Sequence, residues 1–169
     1  MYKRYIHYII YIERMFAEYN YEKYNREENR IVTVKFNETI ESEEEFDSFL
    51  QAWLILYYNR KDYQFIFDTR EMGIISLKYC IKMALFIKNL RKERYHYLQS
   101  SLILVNNEKI KKLLDFIFMM QSPVAPVYLW MTDEKDEEKI EKKCIGCTFE
   151  NLSEDTVYIK PNQSMIPFL

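Results

Sequence analysis

The stretch that decides the fold is Asp62–Arg94, DYQFIFDTREMGIISLKYCIKMALFIKNLRKER. Tyr63–Asp68 (YQFIFD) is a short, nearly continuous apolar run, the pattern of a strand buried on both faces. It ends on an acid. Thr69–Ile75 reads as a loop, and Ser76 as an N-cap whose hydroxyl can accept from an amide of the first turn. Leu77, Cys80, Ile81, Ala84, Leu85 and Lys88 then recur at helical spacing and are expected to form the inner face of a helix. The basic cluster Lys88–Arg94 suits the negative end of the helix dipole. Strand, tight loop and helix together make the first part of a parallel crossover.

Working outward, the same alternation repeats. Upstream, Phe16–Tyr24 (FAEYNYEKY) alternates in part, NREEN is polar, and Arg30–Phe36 (RIVTVKF) is β-branched and alternating. The two runs predict a hairpin with a loop of about five residues. Ser42 and Glu45 have the S-x-x-E spacing of a capping box, and Phe46, Phe49, Leu50, Trp53, Leu54 and Tyr57 follow as one apolar face. The acids of ESEEEFD (41–47) are explained by the positive end of that helix and need no metal. Downstream, Leu98–Val105 is a strand, and Asn106 or Asn107 can cap a helix whose apolar side is Ile110, Leu113, Leu114, Ile117 and Phe118. SPVAP (122–126) breaks it, since proline removes a donor and extends the residue before it. Val127–Thr132 (VYLWMT) is a further strand, and Asp133 opens a charged last helix to about Cys144. The tail Cys147–Leu169 carries one strand-like piece, TVYIK, and reads as a surface arm. The expected fold class is α/β: a β-hairpin followed by αβαβαβα, a mostly parallel or mixed sheet with helices packed on it.

Composition narrows the function. At 169 residues with 49% apolar and 30% charged residues, the chain fits one globular domain. A net charge of −2 offers no basic field for phosphates, so nucleic acid is not an expected partner. With Gly73 and Gly146 the only glycines, neither a dinucleotide fingerprint nor a P-loop can be built. The odd cysteine number (Cys80, Cys144, Cys147) fits free thiols in the cytoplasm. Abundant Ile, Tyr, Lys and Asn match an AT-rich coding genome, which a virus, a protist or a low-GC bacterium would supply; for a virus the expected location is the host cytoplasm. Residues 1–14 form an N-terminal extension: YIHYIIYI (5–12) is too short to span a bilayer, has no small-residue cleavage site, and reads as an edge element or an interfacial anchor. Met15 is an alternative start. The expected units are therefore 1–14, a domain at 15–146, and a tail at 147–169.

A hairpin leading into αβαβα units with almost no glycine resembles the STAS domain, the family of bacterial anti-sigma-factor antagonists and the cytoplasmic tails of sulfate transporters. The resemblance covers roughly Phe16–Cys144 and is best at IFDTREMGIIS, a strand ending in an acid, a loop, and a serine opening a helix. In that family the loop carries an Asp-Ser-Ser-Gly motif whose serine a partner kinase phosphorylates. Asp68 matches the strand-end acid and Ser76 falls beside the phosphoacceptor, while Lys78 and Tyr79 stand where the second Ser and the Gly occur. The resemblance implies a protein partner, a contact surface at Asp68, Thr69, Arg70 and Ser76, and Ser76 as a phosphosite. CRAL-TRIO lipid-binding domains, built on a related strand order, are the structural neighbours and imply a lipid as the alternative ligand.

Candidate chemistry is sparse. Asp68 stands at the carboxyl end of a strand, where open parallel sheets bind ligands, and makes a polar cluster with Thr69, Arg70 and Glu71. It equally suits an aspartate capping local amides. A nucleophile needs a base in reach, and the histidines are His7 in the extension and His96 in a loop. Cys144-Ile-Gly-Cys147 has redox or zinc spacing but follows a helix, where the dipole raises a thiol pKa, and has no second ligand pair. No catalytic set, metal site or cofactor is expected. Three functions remain: a non-catalytic interaction or regulatory module contacting partners through 68–76, a lipid or hydrophobic-ligand binder, and a small hydrolase or transferase using Asp68 and Glu71.

Overall fold

The computed structural model describes residues 15–26, 29–136, 138–140, 149 and 156–161. The readings of the 1–14 extension, His7, the Cys144/Cys147 pair, the end of the last helix and most of the tail lie outside them. The elements are β1 (Ala17–Arg26), β2 (Asn29–Phe36), α1 (Glu43–Tyr58), β3 (Tyr63–Asp68), α2 (Leu77–Leu90), β4 (Leu98–Val105), α3 (Glu108–Met120), β5 (Val127–Met131) and β6 (Thr156–Ile159).

They form one sheet in the order β1-β2-β3-β4-β5-β6. The pairs from β2 to β5 are parallel and the two outer pairs antiparallel, giving the mixed α/β sheet with a leading hairpin that the sequence predicts. Because each crossover advances by one strand with the same hand, the three helices fall on one side. Val32, Val34, Phe65, Phe67, Ile103 and Leu129 supply the sheet's half of that core. Phe65 is its centre: its ring lies 4.5 Å from Phe67 and 4.9 Å from Trp53 of α1, centroid to centroid. Residues one position along each strand face the other way, and Ile66, Leu102, Leu104 and Trp130 are covered there by Ile140 and Phe149. β3 is thus buried on both faces.

Local signals explain the helix starts. Ser42 Oγ accepts from the Glu45 amide (3.3 Å), and Glu45 Oε2 accepts from the Glu41 amide (2.8 Å), a capping box whose return arm reaches one residue further back. Of the two asparagines before α3, Asn107 is the cap: its Oδ1 accepts from the Ile110 amide at 2.9 Å.

Five expectations need correction. Ser76 occupies the N-cap position of α2, but its side chain makes no capping bond. The inner face of α2 is Tyr79, Cys80, Ala84, Ile87 and Leu90, whereas Leu77, Ile81 and Leu85 stay 54%, 43% and 54% exposed. α2 carries two apolar stripes, and period alone cannot choose between them. The hairpin is tighter than predicted, since Arg26 and Asn29 already pair. Asp136, not Asp133, caps the last helix, with Oδ1 accepting from the amides of Glu138 and Lys139. The TVYIK piece is no free arm: Thr156–Ile159 pairs antiparallel with β5 and extends the sheet. A short strand of intermediate polarity gains stability only beside a partner, which composition does not reveal.

Truncating the central ring, Phe65→Ala, is expected to cost about 3–5 kcal/mol in urea unfolding, because it removes buried area and leaves a cavity. Tyr57→Phe is the contrasting case. The Tyr57 hydroxyl is buried without a hydrogen-bond partner, and burial, with the charge of Glu93 adding, pushes its pKa up to about 12. Deleting an unsatisfied group should leave stability unchanged or raise it by up to about 1 kcal/mol. A loss above that in Tyr57→Phe would mean that the hydroxyl is bonded.

Candidate functional site

Parallel strands deliver their carboxyl ends to one edge, so the loops after β3, β4 and β5 meet there. The central feature is an ion pair two residues apart. Asp68 Oδ1 accepts from Arg70 Nε (2.8 Å) and Oδ2 from Arg70 Nη2 (2.7 Å), while the Arg70 amide also donates to Oδ1 (3.1 Å). Both side chains are largely shielded, 15% exposed for Arg70 and 20% for Asp68. Burial alone would raise the Asp68 pKa; the Arg70 side-chain and backbone bonds, then the charges of Arg70 and Lys35, outweigh it and hold the carboxyl below its ordinary value.

Arg70 also stitches the loops together. Its Nη1 donates to the Glu134 carbonyl after β5, and Asn106 Nδ2, after β4, donates to the Arg70 carbonyl at 3.0 Å. Thr69 turns inward, with its Oγ1 donating to the Leu104 carbonyl at 2.7 Å. On the far side of the loop the Gly73 amide donates to the Glu38 carbonyl at 2.8 Å, and a Cβ at Gly73 would lie 2.6 Å from that oxygen. Only glycine permits that approach.

Of the residues singled out from sequence, Asp68, Thr69 and Arg70 are brought together, and all three serve the frame. Ser76 is exposed at the start of α2, and its hydroxyl is not engaged in capping. Glu71 pairs with Lys35 of β2 (3.1 Å), so each carboxylate has its own cation. His96 is exposed just before the amino end of β4, whereas Asp68 stands at the carboxyl end of β3, so the two lie at opposite edges of the sheet. Among the described residues there is no group of three His, Cys, Asp or Glu placed to hold a metal, and no helix long and apolar enough to cross a membrane. Asn106 and Glu134 were missed because their role depends on which loops become neighbours, and strand order rather than motif decides that.

Ligand crevices in open α/β sheets form where the strand order reverses and successive crossovers leave on opposite sides. Here the order runs monotonically from β1 to β6, and the connections after β2, β3 and β4 all leave on one side, so none part at Asp68. Beneath the loop, an apolar cavity of about 100 Å³ lies between sheet and helices, lined by Trp53, Phe67, Met72, Met83, Ile103 and Leu114 among others. That volume suits a benzene-sized molecule and falls short of the roughly 300–1,000 Å³ of ordinary ligand pockets. Comparison with protein-family models, with curated proteins and with solved structures finds no match for this chain.

Two measurements test the frame. Asp68→Asn should lose about 1–3 kcal/mol near neutral pH. A depressed folded pKa contributes stability that is complete above the ordinary carboxylate value of 3.8 and disappears as pH falls through the folded value. The difference in Tm between wild type and Asp68→Asn should therefore close on acidification below about pH 4; a gap independent of pH would remove the ion pair from the account. Gly73→Ala should destabilise by about 1–3 kcal/mol, since the backbone of Glu38 must give way.

Proposed function

We propose that the chain is a non-catalytic, STAS-like interaction or regulatory module that presents the loop and helix start Asp68–Ser76 to a protein partner. The observation that carries this reading is the closed charge set at the carboxyl edge. Asp68 and Arg70 satisfy each other and the neighbouring loops, so what is offered outward is a rigid surface rather than a reactive group. The placement of β3 between two parallel neighbours agrees with the STAS-like order. Ser76 fits the switch position of such a module. Its hydroxyl is exposed, α2 has no acid in its first turn, and a phosphate there would face free amides at the positive helix end.

The other readings find less support. A lipid chain needs several times the volume of the apolar cavity between sheet and helices. A hydrolase built on Asp68 and Glu71 would have to free both carboxylates from Arg70 and Lys35.

Affinity capture from the native source with the intact chain tests the proposal. A partner retained by the wild type should be lost about tenfold, or 1.4 kcal/mol, in the surface variant Glu71→Lys with Ser76→Asp, whose Tm stays near wild type. Capture indifferent to both changes would reject the loop as the contact surface. Phosphopeptide mapping that covers Ser76 fully and finds it unmodified would remove the switch.

A further inference from the structure

We propose that the seam between α2 and α3 is a docking groove for an acidic amphipathic helix of a protein partner. The two helices run side by side in the same direction and meet through Cys80, Ala84, Ile87 and Ile117, with Phe116 and Met120 half-buried alongside. Tyr79, Lys82 and Phe86 turn toward α1, where Tyr79 packs on Phe46, Lys82 pairs with Asp47 and Phe86 packs on Trp53. The opposite flank of α2 borders α3 through Cys80, Ala84 and Ile87, and above it the outward face of α2 carries the exposed ridge Leu77, Ile81 and Leu85 at four-residue spacing. On α3 the matching row is Lys109, Lys112, Phe116 and Met120. Ridge and half-buried floor make an apolar channel about the length of three helical turns, with Lys109 and Lys112 of α3 standing at its border.

The border of this channel is basic. α2 contains no acidic residue, and Lys88, Lys109 and Lys112 have no ion-pair partner among the described residues. The acids of α3 lie off the row: Glu108 stands in its first turn, and Asp115 is paired with Lys111 at 3.9 Å. An apolar channel with unpaired lysines along it complements a helix with leucine-like side chains at i, i+4 and i+7 flanked by Glu or Asp. A second copy docked through the same face would set lysines against lysines. A flat anionic bilayer would also meet Glu43, Glu44 and Asp47 of α1, which lies in the same layer on the other side of α2 from α3.

This inference rests on the chain being an interaction module but uses a surface separate from Asp68–Ser76. The test is fluorescence titration of the full chain with a 20-residue probe helix bearing leucine at i, i+4, i+7 and i+11 (roughly three turns) between glutamates. The same probe with lysine for glutamate, and vesicles of phosphatidylserine and phosphatidylcholine, serve as comparisons. Saturable binding of the acidic probe at least tenfold tighter than the basic one is expected. I81E with L85E should weaken it at least tenfold without moving Tm, and K109E with K112E should reverse the preference. Amide protection should appear on α2 and α3. No saturable acidic-probe binding, binding unchanged in I81E with L85E, or vesicle binding alone would overturn the proposal. Protection confined to residues 68–76 would also overturn it while leaving the loop reading intact.

Discussion

Burying β3 on both faces is the constraint from which the rest of the structure follows. A strand that shows no side to water needs a paired strand on each edge and a layer over each face. β2 and β4 supply the edges, in parallel. The crossovers that make them parallel have one hand and advance one strand at a time, so they stack all their helices on one side. The opposite face is left to the chain beyond β5, and Ile140 and Phe149 close it over Ile66, Leu102 and Trp130. The antiparallel return of β6 along β5 belongs to the same arrangement.

That topology also decides what the carboxyl edge can be. Asp68 in a sheet with a reversal would look into a crevice. In a monotonic sheet it looks onto the adjoining loops, and its charge goes into holding them. The depressed carboxyl and the Gly73–Glu38 contact describe a loop made stiff from both ends. Stiffness of this kind suits recognition, because little rotameric freedom remains to be lost on binding.

Most of the fold was legible because several signals agreed at each element. Ser42 with Glu45, Asn107 before a periodic helix, and the nearly continuous apolar run of Tyr63–Asp68 each combined pattern with terminal chemistry. Legibility failed where two patterns competed or where a partner was needed. Leu77, Ile81 and Leu85 repeat as regularly as Cys80, Ala84 and Ile87, and only the neighbouring helices decide which set turns inward. Thr156–Ile159 becomes a sheet strand through β5, a relation absent from its own residues. The candidate site divides the same way: the Asp68–Arg70 pair is local and readable once the strand end is placed, but Asn106 and Glu134 enter through strand order. Ser76 shows that a good capping residue in the capping position need not make the bond.

The strand order has a consequence for how the chain reaches this structure. Every strand pairs only with the strands before and after it in sequence, so no hydrogen-bonded ladder waits for a distant segment to arrive. Ile31 of β2 meets Gln64 of β3, and Ser101 of β4 meets Val127 of β5. Loop-closure entropy is thus met in similar, modest steps. Such a chain can add one strand and one helix at a time as it leaves the ribosome, each new unit docking on an edge already formed.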